Sequence, residues 1–460
     1  MSINLFYYSI PENLDLKQLL VRYPPSFKFN IHKAHLFLSK LSELTFNERL
    51  VTRNGFVQMS SRMIQDLSIR DFPKYRKWLI KVRIILFDET YVSSSFGAVP
   101  LCMRYRYSDE YYLSKLKLIP VEYWPHRKNM AIRLRNSIEK NSTRLNNAFF
   151  NENLKMDIQM LEADLKFEYL DEINKGVVLE KAIEKLNKSL TNAVKINQGD
   201  FYLKTDKTIG RQHSNIVELS ETARNHLTYK GEYLKELDFS NAQLLFFTIL
   251  LKPEFWKDDE NHMFPSLLDS NDTIEQESFR YSSVCSNRSS DVEMCFDTPS
   301  MYMLTEKLQT LGIREFDKFV SLVEKGEIYE YLHNKFSLSS IKYNQQSKNE
   351  FKKSFITFIN SRTNYNCEFY KLFKKEFKDI TNLIIELKKG NHKAFSHLLF
   401  YLETKVMYER IIPTIKHLRP DIVFYTVHDC ILCIESNIDF VRNVMIEQTQ
   451  IAFGVTPTIK

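Results

Sequence analysis

Two carboxylates in this 460-residue chain stand where a carboxylate is costly. Asp238 lies in ELDFSNAQLLFFTILL, Glu236 to Leu251, an apolar run interrupted by an acid just before Phe239, Ser240 and Asn241. Asp429 follows His428 in DIVFYTVHDCILCIES, at the tip between two apolar runs that read as strands. A charge beside a strand core must be paired, hydrogen-bonded or hold a metal. A tight hairpin prefers Gly or Asn at its tip, and this tip has neither. Two aspartates at the ends of adjacent strands can hold two divalent ions about 4 Å apart, and carboxylate oxygens are the ligands magnesium takes. Such a pair can deprotonate a 3′-hydroxyl and stabilise a leaving pyrophosphate. Two plainer alternatives stand beside this: Asp238 as the cap of the helix that follows, and His428–Asp429 as a turn closed by an Asx hydrogen bond.

Positive charge gathers in two further stretches. KNEFKKSFITFINSR carries Lys348 and Lys352 four residues apart, on one face of a basic helix. DKTIGRQHSN carries Arg211 and His213 in a polar loop. Either set could be merely solvated.

LDFSNAQLLFF resembles motif A of the family A DNA polymerases and the single-subunit phage-type RNA polymerases. TVHDCI resembles their motif C, and KNEFKKSFITFINSR resembles motif B, the fingers helix. DKTIGRQHSN resembles the Gly-Arg element that precedes motif A. The resemblance implies that Asp238 and Asp429 bind two Mg²⁺ or Mn²⁺ ions, with the Phe239 carbonyl as a further ligand. It implies that Lys352 neutralises the triphosphate and helps protonate pyrophosphate, a task for a mobile point charge. Lys348 would contact the γ-phosphate, His428 would position the primer terminus, and Arg211 would meet the template–primer or the carboxylates. GEIYEYL resembles the segment leading into the fingers, with Tyr329 near the incoming nucleotide.

The chain also departs from that pattern. Asn360 stands where motif B carries a Tyr that stacks on the templating pair, and Asn cannot stack as an aromatic does. Gln243 stands where the DNA enzymes crowd a 2′-hydroxyl with Glu; it is bulky and leans towards deoxynucleotides, whereas KKSFIT leans towards the RNA enzymes. Lys348 replaces an arginine, which makes phosphate contact less directional. The expected function is a template-directed nucleotidyltransferase, a reduced family A-like DNA polymerase in replication or priming of a mobile element or phage. The alternatives are a phage-type RNA polymerase or primase, a two-metal nuclease, and a non-catalytic DNA-binding replication initiator.

The elements needed to position these residues follow from the same order. The expected fold is α+β and mainly helical: a palm with a small antiparallel sheet and helical fingers over residues 201–460, with IAFGVTPTIK as the last palm strand. The polar, serine-rich stretch at about 256–300 reads as a flexible insertion. Residues 1–29 form an N-terminal segment. Residues 30–120 read helix, helix, helix, strand, turn, strand, and resemble a winged helix. Its recognition helix would present Lys74, Arg76, Lys77, Lys81 and Arg83 to phosphates. A helical protein-binding module with a solvated basic face is the alternative. Residues 121–200 read as long surface helices, a connector or thumb-like clamp.

Composition bounds these readings. Hydrophobic residues make up 43% and aromatics 13%, enough for large cores. Only 10 glycines occur, and no GxGxxG or GxxxxGK[ST] pattern supports a P-loop or Rossmann site. The net charge of +7 leans weakly towards polyanionic partners: a DNA or RNA template–primer and nucleoside triphosphates. The six cysteines are dispersed, and Cys430-x-x-Cys433 falls within an apolar strand, so it reads as structural. No leader pattern or membrane-length apolar run is apparent, and a cytoplasmic protein with reduced thiols is expected.

Overall fold

The structure is a computed structural model. It describes residues 6–46, 50–52, 54–88, 103–112, 114–140, 150–205, 210–253, 303, 305–307, 313–336, 345–362, 367–389 and 391–460. The chain is mainly helical with small antiparallel sheets, and it divides into two compact units. The first takes residues 1–203 and 214–234, the second 204–213 and 235–460. The stretch expected as a flexible insertion, 256–300, lies outside the described residues.

The first unit opens with β1 (Tyr7–Pro11), α1 (Leu16–Arg22) and α2 (Ile31–Thr45). Asn30 caps α2 by accepting from the His32 N–H, and Ala34, Phe37, Leu38, Leu41 and Leu44 recur at helical spacing on its buried face. β2 (Val57–Met59), α3 (Ser61–Asp66), α4 (Phe72–Lys81), β3 (Ile85–Asp88) and β4 (Met103–Tyr107) follow. Ser60 caps α3. Phe72, Tyr75, Trp78 and Leu79 bury one side of α4. The three strands form an antiparallel sheet in the order β2-β4-β3, with Val57 opposite Tyr105 and Ile85 opposite Tyr107.

Next come α5 (Asp109–Tyr112), β5 (Leu116–Pro120), α6 (Trp124–Lys140) and β6 (Leu154–Met156). Strand β5 returns to pair with β1, Tyr8 opposite Ile119. An antiparallel pair, α7 (Ile158–Asn174) and α8 (Leu179–Gln198), completes this run. Helix α8 ends at Gly199, whose φ of 68° is the left-handed cap conformation that glycine adopts without strain. Residues 1–29, 30–120 and 121–200 thus all fall in the first unit.

Strands β7 (Leu203–Thr205) and β8 (Gln212–Ser214) pair with each other. After α9 (Glu221–Arg224), β9 (Leu227–Tyr229) pairs with β6, and with the first residues of β10 (Glu232–Asp238). The last residues of β10 belong to the second unit.

There β10 leads into α10 (Ala242–Leu250), whose apolar residues are almost all buried. Helices α11 (Ile313–Glu324), α12 (Ile328–Phe336), α13 (Gln345–Asn360), α14 (Glu368–Glu376), α15 (Lys378–Leu387) and α16 (Ala394–Lys405) follow. Phe319, Phe355, Phe373 and Phe377 pack edge-on and tilted among them. A π-helix, Val406–Ile411, joins α16 to α17 (Ile412–Leu418). Strands β11 (Phe424–Val427) and β12 (Cys430–Ile434) form a hairpin, with β12 beside β10, and α18 (Ile438–Phe453) closes the unit. Among the described residues no helix is long and apolar enough to cross a membrane.

Candidate active site

Local backbone chemistry places Asp238 and Asp429. Asp238 is the last residue of β10, and its N–H and C=O bond the C=O and N–H of Lys460, at 3.0 Å each. Ser240 N–H bonds the Thr458 carbonyl, and Phe239 lies opposite Ile459. None of these bonds uses the Phe239 carbonyl. The expectation of a strand in IAFGVTPTIK therefore reduces to this short ladder; Ile451–Phe453 still belong to α18.

Asp429 sits in the two-residue turn between β11 and β12. Val427 pairs with Cys430, so His428 and Asp429 alone make the turn. His428 has φ 56°, a left-handed conformation uncommon for non-glycine residues, though His, like Asn and Asp, enters it more readily than most. Strain of this kind persists where the surroundings over-determine it. The Cys430 thiol lies 3.9 Å from the Glu236 carboxylate, which puts the start of β12 against the end of β10. Both Cys430 and Cys433 are buried thiols, and burial pushes the Cys433 thiol up to about 12.

A third carboxylate joins the two aspartates. Glu403, on α16, is 2% exposed. Burial pushes its carboxyl up to about 7, helped by the negative charge of Asp429 and, less strongly, Asp238, and opposed by Arg211. Burial also raises Asp429, against the lowering effects of a backbone hydrogen bond, Arg211 and Lys352. Arg211 Nε donates to Glu403 Oε1 at 2.9 Å, a terminal N–H donates to Oε2, and the guanidinium lies 3.9 Å from the centre of the Phe400 ring. Gly210, at φ 74°, permits this approach: a Cβ there would meet the Thr404 methyl at 3.0 Å. Thr426, one strand over, lies 3.2 Å from the Tyr408 hydroxyl and 3.5 Å from Gln212 Oε1. Tyr408 lies in the π-helix, a distortion often found at functional sites. The His213 and His428 rings meet edge-on at 5.8 Å.

The expected substrate residues fall in different places. Lys352 is exposed on α13 and within electrostatic reach of Asp429. The Lys348 side chain lies outside the described part of that helix. Asn360 is exposed, and its amide donates back to the Ile356 carbonyl of its own helix at 2.9 Å. Tyr329 is 3% exposed, a core residue of α12. Gln243 has a buried Oε1 with no hydrogen-bond partner. So do two neighbours, the Ser240 hydroxyl and the Asn241 Nδ2, with Asn241 held at φ 57° where α10 begins. Three unsatisfied polar groups beside Asp238 are costly unless a ligand or water meets them.

Two carboxylates, the Phe239 carbonyl and repulsion among the acids fit a hard divalent cation. Among the described residues no three His, Cys, Asp or Glu side chains close into a protein-only metal cage. Magnesium characteristically takes one or two carboxylates and completes its shell with substrate oxygens and water, so the donor set fits.

On the first unit, Lys74, Lys77, Lys81 and Arg83 are exposed on and just after α4. Lys74 pairs with Asp71 at 3.4 Å. Arg76 instead turns onto the sheet, 4.8 Å from the Phe87 ring centre, with the Met103 sulfur 3.4 Å away.

Sequence reasoning left out Glu403, Tyr408, Ser240 and Asn241. A signal for Glu403 exists: LLFYLETKVMYERII holds an acid inside an apolar run, as the run around Asp238 does.

No protein-family profile matches the chain, and no curated protein does. Eight solved chains match it. One is the POL domain of Pol1 from M. smegmatis in complex with DNA primer-template and dNTP, at 11% identity and a TM-score of 0.32, covering 72% of this chain and 69% of that one. A likeness of that size carries no inference about fold or chemistry.

Proposed function

We propose that the chain is a template-directed nucleotidyltransferase, most simply a DNA polymerase, whose centre is Asp238 and Asp429. The observation that carries this is that Asp238 ends β10 and Asp429 precedes the neighbouring strand β12, with Glu403 feeling the charge of both. Asp238, Asp429 and the Phe239 carbonyl would hold Mg²⁺ or Mn²⁺, which when bound lowers the pKa of a coordinated hydroxyl and neutralises a leaving group.

The chain's own residues supply the rest. Lys352 brings a mobile positive charge towards the leaving phosphates. Arg211, locked by Glu403, presents a fixed guanidinium edge to the same centre. Ser240, Asn241 and Gln243 offer unsatisfied polar atoms to an incoming nucleotide, and the bulk of Gln243 favours a deoxyribose. His428 orients a primer end. Lys348 would add a γ-phosphate contact.

In the first unit, the order α2, β2, α3, α4, β3, β4 and the sheet order β2-β4-β3 support a winged-helix reading. The exposed lysines of α4 suit phosphates. Replication or priming of a mobile element or phage is the setting such a reduced enzyme suits.

The test is extension of a primed template with Mg²⁺ or Mn²⁺ and either dNTPs or rNTPs, with Asp238→Ala and Asp429→Ala alongside. Template-dependent extension lost in both variants is expected, with dNTPs preferred. Preference for rNTPs moves the reading to an RNA polymerase or primase. DNA binding without incorporation of either overturns it in favour of a replication initiator.

A further inference from the structure

Helix α7 has two apolar faces, and among the described residues only one is buried. Ile158, Leu161 and Leu165 are buried within the first unit. Met160, Phe167 and Leu170 are 54%, 72% and 54% exposed, and Ala163 and Asn174 are exposed with them. These five recur at alternating steps of three and four residues, the a and d positions of a coiled-coil seam: Met160, Phe167 and Asn174 at a, Ala163 and Leu170 at d. A run of this kind, left open on a charged protein, marks an interaction site.

The flanking charges say what fits there. Lys166 occupies a g position, and Asp157, Asp164 and Asp171 occupy e positions. Asp157 accepts from the Tyr233 hydroxyl, and Asp164 lies 2.9 Å from His226 Nε2. Asp171, still more than half exposed, pairs with Lys175 of its own helix, so a partner's Lys166 would share that carboxylate. Against a second α7 running parallel and in register, each Lys166 faces Asp171 of the other copy, an opposite-charge pair made twice by the two-fold axis. An antiparallel pairing brings Lys166 against Lys166 and Asp164 against Asp164, and like charges oppose it. Asn174 at an a position adds a polar pair that fixes register in two-stranded coils.

We propose that α7 pairs with α7 of a second copy of this chain, parallel and in register, through Met160, Ala163, Phe167, Leu170 and Asn174. The inference is independent of the proposed catalytic role. The seam spans roughly 21 Å from Met160 to Asn174, less than a standard interface of about 800 Å² per partner requires, so association is weak and concentration-dependent.

Sedimentation velocity of the full chain, freed of nucleic acid, between about 1 and 100 µM tests this. A monomer–dimer equilibrium with a micromolar dissociation constant is expected. Phe167→Glu, at an exposed position that leaves the fold intact by circular dichroism, weakens it at least tenfold. Lys166→Glu weakens it severalfold, and adding Asp171→Lys to that variant restores it. A monomer throughout the range overturns the proposal, as does a dimer indifferent to Phe167→Glu. Failure of the charge-reversed double variant to recover overturns the parallel register.

Discussion

Arg211 and Glu403 face each other edge to edge, Nε to Oε1 at 2.9 Å and a terminal N–H to Oε2, in a setting where the carboxylate is 2% exposed. Neither residue can be removed alone without leaving the other's charge stranded.

Glu403→Ala is therefore expected to cost the second unit about 3–5 kcal/mol, the usual result of breaking a buried pair. The double variant Arg211→Met with Glu403→Leu removes both charges, and should recover most of that loss while extension activity stays low. Denaturant unfolding of the two variants beside the native chain measures it. Equal losses in the single and double variants would falsify the idea that the two residues act as one unit.

The basic face of α4 is expected to bind phosphate through Lys74, Lys77 and Lys81, not through Arg76. Changing the three lysines to Ala should weaken DNA binding and flatten the salt dependence, by about 0.9 in the log–log slope for each lost phosphate contact. Arg76→Ala should leave that slope unchanged and lower the melting temperature of the first unit, because its guanidinium lies on Phe87. Fluorescence anisotropy at several salt concentrations separates the two effects.

His35 should make the first unit acid-labile. Burial, with the charges of His32, Lys117 and Lys17, holds its imidazole down at about 4. The unfolded side chain titrates near 6.5, so between those values the unfolded state binds more protons. Stability is thus present above about pH 6.5 and is lost as pH falls through the folded value, on the order of 2 kcal/mol by pH 5. His35→Phe keeps the ring packing against Tyr8 and removes the titration. Unfolding midpoints at pH 7.5 and 5 should converge in the variant; an undiminished acid loss would count against His35 as its source.

Lys388 should act at the opposite end of the pH scale. Its ammonium is buried, its pKa is held down to about 8, and it donates to the Phe358 carbonyl near the C-terminus of α13 at 2.6 Å. The unfolded lysine binds its proton up to about 10.4, so stability of the second unit rises with pH between those values. Lys388→Met should abolish the rise and be no less stable at pH 7, since the Ser361 hydroxyl still serves the Phe358 carbonyl. Denaturant midpoints at pH 7 and 9.5 provide the comparison.

What could be read ahead of the structure follows the range of the forces involved. Periodic apolar residues announced α2, because one helical face must bury itself whatever lies opposite. Helix α8, read from its charges as a surface helix, buries Ile183, Leu190 and Val194 on one face. Carboxylates inside apolar runs announced Asp238 and Asp429, because such a charge requires a partner. Glu403 sends the same signal, yet only its meeting with Arg211 across the fold shows what it is for. Tyr329 lies in the core of the second unit, where an aromatic at helical spacing most often goes. Asn360 marked a departure from the family's stacking Tyr, and its amide is satisfied one turn back along its own helix. These two outcomes depend on packing that no local pattern encodes.

The Arg211–Glu403 pair joins positions 192 residues apart. A ribosome adds about 5–20 residues each second, so roughly 10–40 s separate the synthesis of the two. The first unit takes no residue beyond Leu234. Throughout that interval a nascent chain carries the whole of α4 and its lysines, while Arg211 waits for its acid and Asp238 for Asp429. In order of birth, the surface proposed to grip nucleic acid comes first and the chemistry comes last.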